Sequence, residues 1–302
     1  MPRVIEIADD TAISLEACCA SLAERPFVPT DPDSLAATAR LLRQLGNNRD
    51  FLVDHIVAEL ADADADRPVI AYGPQVVLQT WPKGANCFLR ANIWPARDDH
   101  AMRASGASAF VYGLPHDHPF HFLTLGYFGP GYWSDFYETD YAAITGHVGE
   151  RVPLRPIGRK RLEEGQILHY RAHIDVHDQL PPDALSVSIN VMHSDPSQPW
   201  LDQYEIEPAA DGATGTLRGI INQGAAEAFL RIAVGLGSAE ALDLAHRFGQ
   251  SHPSDRMRLA AFTALAGRET DAAARDAIWA VAEASGSRLV AVAAKARRAE
   301  LA

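Results

Sequence analysis

The chain has 302 residues, 47% of them hydrophobic and 22% charged, with a formal net charge of -12. This is the composition of a folded globular protein with ample core, and it excludes a disordered chain. The negative balance argues against a nucleic-acid surface and against an anionic membrane, since both call for a basic face.

Three cysteines, Cys18, Cys19 and Cys87, cannot build a disulfide framework. The start of the chain lacks an apolar leader, and no apolar run is long enough to span a bilayer. The expectation is a cytoplasmic protein without membrane contact, its thiols serving as buried filler. Three lysines against 24 arginines, with abundant alanine, suggest a GC-rich bacterial genome.

Residues 1–66 read as a helical segment. Asp31-Pro32 is a helix start, with proline tolerated in the first turn, and the leucines of Ser34–Leu45 share one face up to the stop at Gly46-Asn47-Asn48. A further helix is expected over Asp50–Ala61, with Phe51, Val53, Ile56, Val57 and Leu60 inside. Over residues 67–210 the period changes from 3.6 to 2. Strands are expected at Val69–Tyr72, Gln75–Trp81, Cys87–Trp94, Ala107–Tyr112, Phe120–Tyr127, Tyr132–Glu138, Gln166–Tyr170 and Leu185–Met192. Gly, Pro and Asp turns separate them, a pattern of an all-β sandwich or barrel. Residues 222–302 return to helix, in five short pieces. Arg256–Leu265 and Arg288–Arg297 resemble two copies of one amphipathic helix, at a spacing within the range of HEAT-type repeats.

Histidines carry the chemical signal. Eight of the 12 lie between His116 and His193. In His116-Asp117-His118 the two imidazoles are two apart, so on extended chain they point the same way and can grip one metal ion. Pro119 lets the chain turn back and bring His121 to the same region. Further on, His169, His173 and His177 share one face of an extended strand, and a bend is expected near Arg171-Ala172. Asp117 alternates away from the ligand side.

A His-x-His after an apolar run, followed some fifty residues later by another histidine, resembles the cupin superfamily, small β-barrels that hold a metal inside. The usual cupin glutamate is missing: Pro119-Phe120-His121-Phe122 stands in its place. That likeness is to the three-histidine branch, the cysteine dioxygenase-like thiol dioxygenases. Gly165–His177 resembles the second cupin motif, and Ala184–Val191 the strand after it. The resemblance covers roughly residues 86–202. It implies a cupin-type barrel (double-stranded β-helix); with the helices read at either end, the expected fold is mainly β with helical flanks, a barrel joined to N-terminal helices and a C-terminal helical, HEAT-like region.

On this resemblance the metal ligands are His116, His118 and His177, with His173 the runner-up. His121 is either a fourth ligand or a group that orients substrate or oxygen. Ser186, Ser188 and Asn190 fall where the thiol dioxygenases carry Ser, His and Tyr, so they are expected in the substrate pocket, and cysteine itself is not the expected substrate. Arg90 and Tyr137 are candidates to hold a carboxylate or assist catalysis. The expected activity is that of a mononuclear non-haem iron oxygenase or oxidase using Fe(II) and O2 on a small amino-acid-like molecule or a peptide side chain. Alternatives are an isomerase, lyase or hydrolase using Zn, Mn or Ni, and a metal-stabilised interaction protein without catalysis. The C-terminal helices are expected to serve peptide recognition or a homodimer.

Overall fold

The computed structural model describes residues 2–61, 73–210 and 212–301. In chain order the elements are β1 (Arg3–Ile5), α1 (Leu15–Glu24), α2 (Pro32–Asn47), α3 (Phe51–Ala61), β2 (Val76–Thr80), β3 (Cys87–Trp94) and α4 (His100–Ser105). Then follow β4 (Phe122–Phe128), β5 (Trp133–Glu138), β6 (Arg151–Pro153), β7 (Arg155–Arg161), β8 (Ile167–Tyr170), β9 (Asp175–Leu180) and β10 (Ser186–His193). The last are β11 (Tyr204–Pro208), β12 (Thr214–Ile220), α5 (Ala226–Gly235), α6 (Ala239–Ser251), α7 (Asp255–Ala266), α8 (Ala272–Glu283) and α9 (Arg288–Leu301).

The chain divides into two compact units. One comprises residues 1–141, 152–198 and 205–215; the other comprises 142–151, 199–204 and 216–302. The N-terminal helices therefore belong to the same unit as the histidine-rich strands.

In that unit α2 starts as its sequence indicates. Asp31 caps it by accepting from the Asp33 amide, with Pro32 in the first turn, and Leu35, Ala39, Leu42 and Leu45 form its buried stripe. The expectation for α3 holds for Phe51 and fails for Val53 and Val57, which are 56% and 57% exposed while Leu52 is buried. The α3 stripe runs through Phe51 and Leu52, one position off the expected face. The side chain of Leu60 and the expected strand at Val69–Tyr72 lie outside the described residues.

The central sheet has the order β1-β8-β4-β10-β3-β2, and its neighbouring strands run antiparallel. A second sheet has the order β7-β5-β9, a third β11-β12-β6. The expected single closed barrel is thus not what hydrogen bonding joins among the described residues. The break comes after β4, where Gly129 and Gly131 adopt φ +80 and +81 and carry the chain into the second sheet. A Cβ at Gly131 would stand 1.7 Å from the Leu162 carbonyl oxygen, so only glycine permits that close passage.

The fold is also less β-rich than expected, 40% helix and 25% strand. Ala107–Phe110, expected as strand, is a 3-10 turn behind α4, closed by Val111 in the left-handed region at φ 60. Its apolar run reads like a strand because it is buried, Phe110 being fully enclosed.

Strand parity sorts the side chains of the central sheet. Odd positions on β3, β4 and β10 (Leu89, Ala91, Leu123, Leu125, Ile189 and Val191) share one core with the stripes of α1, α2 and α3. Cys18 and Cys87 are buried there as filler, their thiols pushed up to about 12 and about 11 by burial. Trp94, Phe122, Leu168, Tyr170 and Met192 join Tyr132 and Phe136 in a separate aromatic core.

In the other unit, α5 to α9 pack through two small apolar clusters, one around Leu230, Val234 and Ala261, the other around Phe262, Trp279 and Val290. The expected five helices are present over residues 226–301.

Candidate metal centre

His116, Asp117 and His118 follow the turn at Gly113 (φ 69) in extended form. His116 exchanges backbone hydrogen bonds with His177 of β9 in both directions, each 3.0 Å. The His118 carbonyl accepts from the His173 amide at 2.9 Å. Two segments far apart in sequence are thereby held side by side. The two-residue spacing then aims the His116 and His118 rings into the space that the His177 ring also enters.

One potential ligand nitrogen from each of His116, His118 and His177 lies within 4.8 Å of the others. Nε2 of His118 and Nε2 of His177 are 3.0 Å apart. The His116 Nδ1 meets the Leu114 carbonyl at 2.6 Å, which places its proton there and leaves Nε2 as the free lone pair. All three side chains are buried, at 4%, 8% and 1% exposure. Burial pushes the His116 imidazole down to about 4, with the nearby Arg90 charge acting the same way against the Leu114 contact. His118 and His177 are driven well below the ordinary value, burial first and the neighbouring imidazoles next. Three neutral imidazoles converging on one point are the donor set of a divalent transition metal, and they fit such an ion.

The other candidates fall differently. His173 donates its amide to the site, but its own backbone is left-handed at φ 60. That turn swings its ring away, to lie tilted against Tyr141 with ring centroids 4.0 Å apart and its Nδ1 3.8 Å from Asp117. The shared face expected for His169, His173 and His177 is broken by this turn, which separates β8 from β9. His121 is not one of the converging imidazoles: it faces His169, Nδ1 to Nε2, at 3.3 Å. A fourth-ligand role for His121 does not match this placement.

Arg90 lies on β3 with its charge felt by His116, His118 and Tyr132. Asn190 is its direct cross-strand neighbour, and the Asn190 side-chain Nδ2 donates to the Arg90 carbonyl at 3.2 Å. Ser188 accepts from Trp94 Nε1 at 2.9 Å. Ser186 is committed to a turn, accepting from the Gly131 amide and donating to the Ala184 carbonyl. Tyr137 pairs with Val176, whereas Phe136 pairs with His177. Tyr137 therefore has the opposite parity to the ligand, beside Asp135 and Asp178, and is removed from the triad.

A different tyrosine, Tyr170, stands beside the triad. Tyr170 is 1% exposed, its ring 4.9 Å from that of His177 and 6.5 Å from that of His118. Its phenol is raised well above the ordinary value by burial and by the neighbouring Tyr132. Burial raises Tyr132 to about 12. The buried Tyr132 hydroxyl meets those of Tyr170 and Thr124, and the Tyr170 hydroxyl meets that of Ser134. Tyr170 has the parity opposite to His169 on β8, a sequence signal that singles it out once His169 is seen to face elsewhere.

No protein-family profile matches the chain, and no curated protein matches it. Among solved structures it is similar to the DMSP lyase DddQ from Ruegeria pomeroyi DSS-3, at 10% identity and a TM-score of 0.20, covering 65% of this chain and 78% of that one. A superposition that loose carries no argument about the chemistry. No helix among the described residues is long and apolar enough to cross a membrane.

Proposed function

We propose that this protein is a cupin-type, mononuclear metal-dependent enzyme, and that His116, His118 and His177 hold its metal. The observation that carries the reading is the convergence of three buried, neutral imidazoles. A structural zinc site would be closed by four protein ligands, whereas three leave positions for substrate. Fe(II), when bound, would supply the redox chemistry needed to use O2, and an oxygenase or oxidase is our first reading.

The chain's own residues would do the rest. The Leu114 carbonyl fixes the His116 ring. Arg90 offers a positive charge beside the triad, suited to the anionic end of a small amino-acid-like molecule or a peptide side chain. The aromatic core of Phe122, Tyr132, Phe136 and Tyr170 excludes water. Tyr170 and Tyr132 keep their protons at neutral pH and can donate hydrogen bonds to a bound group.

That tyrosine pair also favours a second reading, a redox-inert lyase, isomerase or hydrolase in which a phenol carries the proton. Anaerobic purification, metal analysis and oxygen-uptake screening with thiols, amino acids and peptides decide between them. Substrate-dependent oxygen consumption by the Fe(II) form supports the oxygenase. Turnover at equal rate without oxygen and with Zn or Mn overturns it.

A further inference from the structure

A second group of histidines lies outside the triad, on the central sheet. His169 is on β8, His121 immediately precedes β4, and His193 ends β10, and these three strands are neighbours in the order β8-β4-β10. The register sets Leu123 opposite His169 and Phe122 opposite Met192. The His193 amide donates to the His121 carbonyl at 3.0 Å, so the row is continuous across the strands. All three share parity with Ile167, Leu123 and Val191, which belong to the core beneath the N-terminal helices. The triad's companions Phe122, Leu168 and Tyr170 have the opposite parity.

The nitrogens of the inner pair already face each other. His121 Nδ1 and His169 Nε2 are 3.3 Å apart. Two metal–nitrogen bonds of ~2.0–2.1 Å meeting at a tetrahedral angle separate their nitrogens by roughly 3.3 Å. His169 is 2% exposed, and its Nδ1 has no hydrogen-bond partner. His121 and His193 are only partly buried, which leaves an approach from solvent. The His193 ring now stands edge-on to Phe27, with centroids 5.8 Å apart, and rotation about its side-chain bonds can turn it toward the pair. Among charged groups, Asp175 acts on both His121 and His169, opposed by Arg171 and, at His169, by Arg3. Asp195 acts on His193 in the same sense as Asp175 does on the pair. The donors are imidazole nitrogens and not oxygens, so hard cations such as Mg or Ca are not suited and borderline metals are.

We propose that His121 and His169, completed by His193, form a second divalent-metal site of the imidazole type, separate from the triad and taking Zn(II), Co(II), Ni(II) or Cu(II). It does not depend on the function proposed for the triad. The test is titration of the chelator-stripped, full-length protein with Co(II), followed in the visible spectrum, and with Zn(II), followed by elemental analysis. The wild type is expected to bind two equivalents. His169→Gln and His121→Gln should each lose one equivalent, His118→Gln should lose the other, and His193→Gln should keep two with the second bound about tenfold or more weakly. His121 is partly exposed, so His121→Gln serves if His169→Gln fails to fold, as judged by circular dichroism. A wild type that binds one equivalent, abolished by His118→Gln, overturns the proposal. So does a folded His121→Gln or His169→Gln protein that still binds two. A single equivalent lost in His121→Gln and kept in His118→Gln would uphold this site and sink the triad reading instead.

Discussion

The two faces of the central sheet differ in what they are made of. On β3, β4 and β10, the helix-side residues Leu89, Ala91, Leu123, Leu125, Ile189 and Val191 are all apolar. On the same strands the alternate residues mix apolar Trp94, Phe122 and Met192 with polar Arg90, Asn92, Thr124, Ser188 and Asn190, and of these polar residues all but Arg90 are buried. Burying polar groups costs stability unless they are bonded, so a fold selected for stability alone would not line an interior in this way. The helix side holds the unit together; the other side carries the polar groups near the proposed metal site. One strand serves both because its side chains alternate.

The largest effect on this contrast should come from the triad. His118→Gln is expected to reduce metal at that site to background and turnover with it, while circular dichroism of the strands stays unchanged. Loss of the fold together with the metal would mean that the triad is structural. On the helix side the reverse pattern is expected. Leu125→Ala empties part of a core whose member is 1% exposed, and should cost about 2–5 kcal/mol in denaturant unfolding without altering metal stoichiometry.

Acid should attack the metal-free protein through its histidines. The folded chain holds His116 neutral down to about 4, whereas the unfolded chain takes up the proton near 6.5. As pH falls from 6.5 toward 4 the unfolded state binds more protons, so stability declines through that window and is fully present above it. His116 alone accounts for about 3 kcal/mol, and His118 and His177 act in the same direction. Urea titrations of the stripped protein at pH 7 and pH 5 measure this; equal midpoints would refute it. The smallest effect is expected at Tyr137→Phe, within about 0.5 kcal/mol in stability and without change in metal binding or turnover, because that side chain points away from the triad.

The sequence made the triad legible because its cue was local. His116 and His118 sit two apart on extended chain, and His177 closes a motif of recognisable shape. Strand spans such as Cys87–Trp94 were legible for the same reason, through period and turn residues. What stayed hidden depended on backbone dihedrals and on faces. The left-handed turn at His173 reverses the direction of its ring, and no pattern of residue types announces a non-glycine residue at φ 60. Tyr137 and Tyr170 are chemically alike, and only register against His177 separates the remote one from the close one. Strand count alone overestimates sheet closure, because it does not reveal that Gly129 and Gly131 carry the chain out of the first sheet. The basic, exposed β7 leaves no mark in the sequence, because an edge strand facing solvent has no apolar alternation to display.

The paired backbone bonds between His116 and His177 have a bearing on supply. Main-chain bonding draws these two ligands together, so part of the pocket is set by the fold itself and not by the ion. Loading then follows mass action, each ion stabilising the protein according to its free concentration relative to its dissociation constant. With only imidazoles to discriminate, intrinsic affinity rises toward copper along the first-row series whatever the enzyme needs. The ion found in the purified protein will therefore record the metal pool of the cell that made it, and activity restored by exchange will reveal which ion the chemistry uses.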